Sequence, residues 1–505
     1  MASGVTGAGA GAGGARSRAR ARALIALSLL LLLLAGWLGE SAAKPPLGPR
    51  GWAPGQLPWA LGSGAVTATL ATAYILGAGG LWLGLRSARP WPVWAIGALA
   101  LGALLVMPFG SADHTNYAAY GRIAFQGGDP YVESPIAWAG GADPVTSGVQ
   151  PPWQSTPSIY GPLSTLAQLV SAAIGGDNLR QVVWVWQVLI VLAWLGTRVL
   201  LRRLFPDAHG RVDLLWTMNP FVIGTGVLGA HVDTLATPLM VAALLLARGA
   251  LWPRALAAGV ACGLASSVKV TAGVVLVAIA VGWLVEARAA AGAVAARGRG
   301  GGLVTRLAAL VAGAALVAVP LQVWAGGRSY DQLGRSRRSI SLATPWRKVY
   351  EWFGGHLDDG TWRSLIFAAA ALTCMLLAWA AWRLLRTAVP AAGAAVVLAL
   401  ALSIAYAVGA PYVLPWYDQL VWALLPGVAA GAAVGAVGAV ERVWIVRGLM
   451  LALAYVPGRV VGMSAGVESL TLGWRRDVAP LAAIVAGVVL LLAGRRGRDR
   501  ETRRA

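Results

Sequence analysis

The run ALIALSLLLLLLAGWLG occupies residues 23–39 and contains no charged side chain. As an α-helix, a run of about 17–25 apolar residues crosses a hydrocarbon core about 30 Å thick. Runs of this kind recur along the chain, and the alternating pattern expected for the strands of a membrane barrel is absent. This stretch therefore predicts the first of a series of transmembrane helices.

The composition agrees with a membrane protein. The chain has 505 residues, of which 58% are hydrophobic and only 12% are charged, and this excludes a soluble globular protein. We predict an all-α, polytopic bundle of about 13–14 spans, in which the loops on the outer face carry short helices. The apolar runs lie near residues 23–39, 62–85, 91–109, 160–175, 181–201, 212–229, 232–250, 254–268, 270–286, 304–325, 362–384, 390–408, 415–436, 443–457 and 478–494.

The positive charge of the chain indicates its orientation. The net charge is +21, but the basic residues stand in short clusters between apolar runs, which is typical of cytoplasmic loops and not of nucleic-acid binding. Residues 1–22 and 495–505 are therefore expected to be cytoplasmic, with 23–39 as an uncleaved signal anchor. The basic clusters assigned to the same side are Arg86/Arg89, Arg202/Arg203/Arg211, Arg248/Arg254, Arg288–Arg306, Arg383/Arg386 and Arg442/Arg447.

These assignments are mutually consistent if 160–175 does not fully cross the membrane. Segments 110–180, 326–361, 409–414 and 458–477 then face outward. The outward loop 326–361 contains Arg337 and Arg338, against the usual charge bias. Solvated loop charges explain this simply; the functional alternative is a surface for a lipid phosphate, because guanidinium groups match phosphate oxygens.

The stretch SADHTNYAAYGRIAFQGGDPY, residues 111–131, concentrates polar chemistry at the end of an apolar run. A carboxylate at the mouth of a bundle is partly desolvated, and this favours Asp113 as a general base. Helix-end carboxylates and interfacial tyrosines also occur without any catalytic role. The further candidate residues of this stretch, all assigned to substrate binding, are His114, Tyr117, Tyr120, Arg122 and Asp129.

Four later segments are predicted to reach the same outer surface. Ionisable groups at a membrane boundary are candidates for function, although packed polar pairs and aromatic belts give simpler explanations. TPSIYGPL (156–163) contributes Tyr160, and NPFVIGTGVLGAHVDTL (219–235) contributes His231 and Asp233. ASSVKVTA (265–272) contributes Lys269, which is expected to pair with Asp113 or Asp233 or to meet a substrate phosphate. YVLPWYDQLVWALLP (412–426) contributes Trp416, Tyr417 and Asp418.

Several other kinds of site are not indicated. The two cysteines, Cys262 and Cys374, fall inside predicted spans and support neither a disulfide framework nor a zinc site. There is no P-loop and no dinucleotide-binding fingerprint. No metal ligand set is predicted and no cofactor is required, although the carboxylates Asp113 and Asp233 could hold a divalent metal.

The pattern D-x-x-x-Y-x-x-Y-G-R, then G-x-DPY, W-x-x-TPSIYGPL, NP with G-x-HVD, VK and LPWY resembles the actinobacterial polyprenol-phosphate-mannose-dependent α-(1→6)-mannosyltransferases. The resemblance spans roughly residues 90–480. It implies a GT-C glycosyltransferase whose residues 23–494 form a single transmembrane domain with an outward-facing active site. It also implies a polyprenyl-phosphate-mannose donor, a glycan or lipoglycan acceptor of the cell wall, and Asp113 as the catalytic base.

Other functions stay open at this stage. A related transferase would use lipid-linked arabinofuranose or glucose. A polyprenyl-lipid transporter or flippase would show internal inverted repeats, and no similarity between the halves of the sequence is evident. A structural role in cell-wall assembly is the third alternative.

Overall fold

The computed structural model describes residues 6–249, 251–293, 300–336, 339–386, 393–428, 436–458 and 461–502. Within these ranges the chain forms α-helices joined by turns and short 3₁₀ or π segments, and no strand is present. The predicted all-α class is therefore confirmed for the described residues.

The α-helices are numbered in chain order. The first half of the chain contains α1 (Thr6–Trp37), α2 (Ser63–Gly84), α3 (Val93–Leu105), α4 (Asp113–Phe125), α5 (Pro162–Gly175), α6 (Leu179–Leu204), α7 (His209–Val212), α8 (Val232–Ala247) and α9 (Trp252–Val268). The second half contains α10 (Val274–Ala293), α11 (Gly300–Ala325), α12 (Asp331–Ser336), α13 (Pro345–Trp352), α14 (Asp359–Leu385), α15 (Ala394–Gly409), α16 (Gln419–Leu424), α17 (Ala436–Tyr455), α18 (Ala465–Gly473) and α19 (Ala479–Thr502).

Many of these helices are apolar enough for a membrane. By length and composition, seven spans qualify among the described residues: Ala15–Trp37, Ser63–Gly84, Leu179–Leu204, Val270–Ala290, Gly302–Ala325, Asp359–Leu385 and Ala465–Ala493. Four shorter apolar helices, α3, α5, α8 and α15, accompany them. The protein is a multi-pass membrane protein, and the total of 13–14 crossings stays a prediction.

Helix α5 has a length that bears on the orientation argument. Its 14 residues make it about 21 Å long at 1.5 Å per residue, less than a hydrocarbon core of about 30 Å. A straight α5 therefore does not cross such a core. Helices α3, α8 and α15 are of similar length, so length alone does not separate α5 from them.

The run 212–229 is not the single regular helix that its apolar character suggested. Two π-helical segments, Asp213–Thr217 and Val222–Val227, flank Asn219 and Pro220. Proline lacks the backbone N–H that a continuous helix requires. The Asn219 side chain compensates, since it accepts from the Phe221 N–H at 2.9 Å and donates to the Leu215 carbonyl at 2.9 Å.

Close helix packing positions the polar residues. Helix α4 packs on α5 and α6, and α9 packs on both α8 and α11. At the α4–α5 contact, a Cβ on Gly121 would lie 2.1 Å from the Gln168 backbone oxygen. Only a glycine allows the two backbones to approach this closely, so Gly121 determines how closely α4 packs on α5.

Candidate active site

The segment between α3 and α4 is anchored to two distant parts of the chain. The Phe109 N–H donates to the Leu228 carbonyl at 2.9 Å, and the Gly110 N–H donates to the Ala43 carbonyl at 2.8 Å. These bonds bring the start of α4 beside the loop that precedes α8. Ser111 completes the link, because its hydroxyl accepts from the Asp113 N–H at 3.2 Å and faces His231 Nε2 at 3.3 Å.

Asp113 and His231 form the first pair of the candidate site. The Asp113 Oδ2 atom lies 3.5 Å from His231 Nδ1, and the two side chains are 14% and 1% exposed. The imidazole stacks on the indole of Trp416, with ring centroids 3.5 Å apart and planes inclined by 9°. His231 is thus held between a carboxylate edge and an aromatic face, while Asp113 keeps some contact with the outside.

The carboxyl group of Asp113 is easily protonated. Burial is the main reason that the pKa of Asp113 is raised to about 7; Lys269 opposes this rise and Asp233 adds to it. Both forms of the carboxyl group are therefore populated near neutral pH. This is the range in which a carboxylate works best as a general base.

Asp233 and Lys269 form the second pair. Lys269 Nζ donates to Asp233 Oδ1 at 2.7 Å, and both side chains are largely buried, at 14% and 12% exposure. The same ammonium group lies 3.6 Å from the centroid of the Tyr417 ring, a cation–π contact. Of the two partners expected for Lys269, the structure thus shows Asp233.

A cavity of about 160 Å³ opens beside the second pair. Its lining contains the charged residues Asp233 and Lys269 and the Tyr417 ring, together with apolar side chains such as Met240 and Leu420. The remaining lining residues are Ala236, Thr271, Ala272, Val274, Ser403, Tyr406 and Gln419. A cavity that combines a lysine with apolar side chains suits an amphiphile with an anionic head and a hydrocarbon tail.

The predicted tyrosines form a cluster behind Asp113. Tyr117 and Tyr160 meet edge to face with centroids 5.1 Å apart, and Tyr120 donates its hydroxyl to the Thr156 carbonyl at 2.8 Å. Tyr117 and Tyr120 are 1% and 3% exposed. The cluster therefore joins α4 to the segment before α5.

Arg122, another predicted site residue, forms ion pairs outside the cavity. Arg122 is bound to Asp143 at 2.9 Å and to Asp177 at 2.5 Å. Burial opposes ionisation of Asp143, but the Thr146 N–H and Arg122 stabilise its carboxylate, so the pKa of Asp143 is lowered overall. Arg122 therefore ties the segments before and after α5 to α4, and it does not line the cavity.

Asp129, His114, Asp418 and the loop arginines complete the list of predicted residues. Asp129 shapes its own turn, with Oδ1 accepting from the Tyr131 N–H at 2.9 Å. His114 is fully buried within α4. Asp418 is buried in an ion pair with Arg447. Arg337 and Arg338 lie outside the described residues.

Two residues of this region were not found from the sequence. Ser111 was passed over because a lone serine carries no pattern. Arg447 was assigned to a basic loop cluster with Arg442, but it lies within α17, is 3% exposed and pairs with Asp418. The charge rule counts arginines near span ends, and it does not distinguish a loop arginine from one buried inside the bundle.

Comparison with known proteins identifies the family. Residues 26–287 match the family model described as alpha-(1->6)-mannopyranosyltransferase, N-terminal domain. The chain belongs to this mannopyranosyltransferase family. The matched range contains Asp113, His231, Asp233 and Lys269, whereas Trp416, Tyr417 and Asp418 lie beyond it. The resemblance seen in the sequence motifs is confirmed at the level of the family.

Individual relatives share less than a third of their aligned residues with this chain. A probable alpha-(1->6)-mannopyranosyltransferase of Mycolicibacterium smegmatis is 29% identical over 146 residues, which are 28% of this chain. The aligned part spans only 25% of the length of that curated relative. Among solved structures, ArnT from Cupriavidus metallidurans bound to undecaprenyl phosphate aligns with a TM-score of 0.41 and 16% identity, over 81% of this chain and 78% of that one.

Proposed function

We propose that this member of the mannopyranosyltransferase family transfers mannose from a polyprenyl-phosphate-mannose donor to a glycan or lipoglycan acceptor at the outer membrane face. In this proposal the active site is of GT-C type and Asp113 is the general base. The observation that carries it is the Asp113–His231 contact beside the Asp233–Lys269 ion pair, the second of which borders a cavity lined by polar and apolar side chains.

The proposed reaction is a displacement with inversion at the anomeric carbon. The acceptor hydroxyl attacks this carbon of a β-linked mannosyl phosphate, its proton passes to Asp113, and the bond from carbon to phosphate oxygen breaks. The products are an α-mannoside and a polyprenyl phosphate. Asp113 suits the proton transfer because its pKa of about 7 leaves it ionised in part and basic enough at neutral pH.

Lys269 suits the departing phosphate. Its ammonium group borders the cavity, is paired with the Asp233 carboxylate and lies against the Tyr417 ring. In a poorly solvated site, a fixed positive charge stabilises negative charge that develops on a leaving group more strongly than water does. The apolar lining residues Met240, Val274 and Leu420 would contact the first part of the prenyl chain.

The test is the transfer of labelled mannose by purified protein. We expect product with polyprenyl-phosphate-mannose, and a loss of about 10²- to 10⁴-fold in rate for Asp113→Asn. Asp207→Asn is the matched control, since Asp207 is exposed in a short turn after α6 and should retain the full rate. An Asp113→Asn enzyme with normal transfer would disprove the base assignment.

The same assay separates the alternative functions. Transfer from lipid-linked arabinofuranose or glucose in preference to mannose would reassign the donor. Movement of labelled donor lipid across vesicle membranes without any glycoside product would indicate a transporter. If neither transfer nor lipid movement is detected, the structural role in cell-wall assembly is favoured.

A further inference from the structure

The one-turn helix Pro415–Asp418 contacts one member of each side-chain pair of the proposed site. Trp416 stacks on His231, the partner of Asp113. The next residue, Tyr417, places its ring against Lys269, the partner of Asp233. Two successive aromatic side chains therefore hold His231 and Lys269 from the same short turn.

A buried ion pair anchors the turn 415–418. Asp418, its last residue, binds the Arg447 guanidinium of α17, and the two side chains are 1% and 3% exposed. Arg447 Nη2 also donates to the Ala407 carbonyl, near the end of α15, at 2.6 Å. The planar guanidinium group thus ties the turn to two helices at once, which a single ammonium group does less precisely.

We infer that Arg447 and Asp418 are positioning residues for the transfer reaction, acting through Trp416 and Tyr417 on His231 and Lys269. The inference rests on the proposed function for its effect on catalysis. Its structural part, that the pair controls the Tyr417–Lys269 contact, stands independently. A displacement of about 1 Å at reacting groups is enough to lower a rate by about 10²-fold, so the pair matters although it does not touch the cavity.

A second buried ion pair offers a matched control. Arg211 of α7 binds Glu441, also of α17, with side chains 8% and 3% exposed. Arg211 donates to the Pro426 carbonyl at 3.2 Å, and Pro426 follows α16 in the chain, outside the turn 415–418. Both pairs are similarly buried on the same helix, but only Asp418–Arg447 binds the turn 415–418.

The variants replace each pair by apolar residues of similar volume. Removing both partners of a buried ion pair is commonly tolerated by the fold, whereas removing one leaves an unpaired buried charge. The two double variants are Asp418→Leu with Arg447→Met, and Arg211→Met with Glu441→Leu. Arg447→Lys is added because it keeps the charge and loses the planar fork.

Two readouts are measured on the folded, purified chains. The first is kcat and KM for mannose transfer. The second is acylation by a water-soluble amine-reactive ester, followed by mass spectrometry, which is simple because the chain has only three lysines, Lys44, Lys269 and Lys348. Lys348 is an internal reference, since its side chain is 45% exposed.

For the Asp418→Leu, Arg447→Met variant we expect kcat to fall by at least about tenfold and Lys269 to be acylated faster relative to Lys348. Arg447→Lys should recover part of both, and the Arg211→Met, Glu441→Leu variant should match the unmodified chain. Unchanged kcat and unchanged Lys269 acylation at the first pair would overturn the inference, as would equal losses at the two pairs.

Failure of the proposed function has a different signature. If the unmodified chain transfers no mannose, the assignment of the reaction fails, but acylation of Lys269 still reports whether Arg447 and Asp418 position Tyr417. If the unmodified chain transfers mannose and the Asp418→Leu, Arg447→Met variant has the same kcat, the positioning role fails and the proposed function stands.

Discussion

At the level of single residues, the environment of Asp113 leads to a pH dependence of the proposed transfer. The pKa of Asp113 is about 7, and a base acts in its ionised form. The rate constant kcat/KM should therefore rise with pH through about 7 and level off above it, with a fall of about tenfold per pH unit on the acid side. A profile that is flat between pH 5 and pH 8 would argue against Asp113 as the base.

Lys269 allows a second residue-level prediction. Lys269→Gln removes the positive charge from the cavity edge and leaves Asp233 without its ion-pair partner. We expect kcat/KM for the lipid donor to fall by about 10²- to 10³-fold, since one charge-stabilising donor commonly contributes that much. Lys348→Gln is the control, because Lys348 forms a surface pair with Asp477. Equal kinetics for both variants would exclude a role for Lys269 in stabilising the phosphate.

At the level of secondary-structure elements, the packing of α4 on α5 determines the position of Asp113, the first residue of α4. Gly121→Ala would place a Cβ 2.1 Å from the Gln168 backbone oxygen, and such overpacking costs about 1–3 kcal/mol. We expect a lower midpoint of thermal unfolding and slower transfer. Gly196→Ala in α6 is the matched control, since nothing lies within 4 Å of its added Cβ. If both variants unfold at the same temperature, the close contact is not structurally important.

At the level of the whole molecule, the charge bias of the loops gives an orientation that labelling can test. In a variant lacking Cys262 and Cys374, a new cysteine at exposed Ser155 should react with an impermeant maleimide on intact cells. A new cysteine at exposed Asp207 should react only after the membrane is opened, because that turn adjoins the basic cluster at the end of α6. The reverse result would place the proposed site on the cytoplasmic face.

Much of the architecture was predictable because membrane helices are encoded locally. A continuous apolar run such as 23–39 must satisfy its backbone hydrogen bonds within itself, so its sequence alone predicts a helix. The run 212–229 shows the limit of this reasoning. Much of it is apolar, yet Pro220 interrupts the helical hydrogen bonds, and two π-helical segments replace one regular helix.

The candidate site was predictable as a set of segments and not as a set of contacts. Asp113, His231, Asp233 and Lys269 were all expected near one surface, and the structure pairs Asp113 with His231 and Asp233 with Lys269. The assignment of Asp113 as the base stays a prediction. Arg122 was expected to meet substrate, but its ion pairs with Asp143 and Asp177 direct it elsewhere, and those partners lie 21 and 55 positions along the chain.

The sequence by itself determined the all-α membrane character, the segments that carry ionisable groups and, through its motifs, the family. Those properties depend on local hydrophobicity and on short patterns of neighbouring residues. Only the tertiary structure decided which charges are paired, that Trp416 and Tyr417 hold the partners of the two carboxylates, and that Arg447 is buried and not in a loop. The physical reason is that an ion pair or a ring contact depends on how distant helices pack, and hydropathy contains no record of that packing.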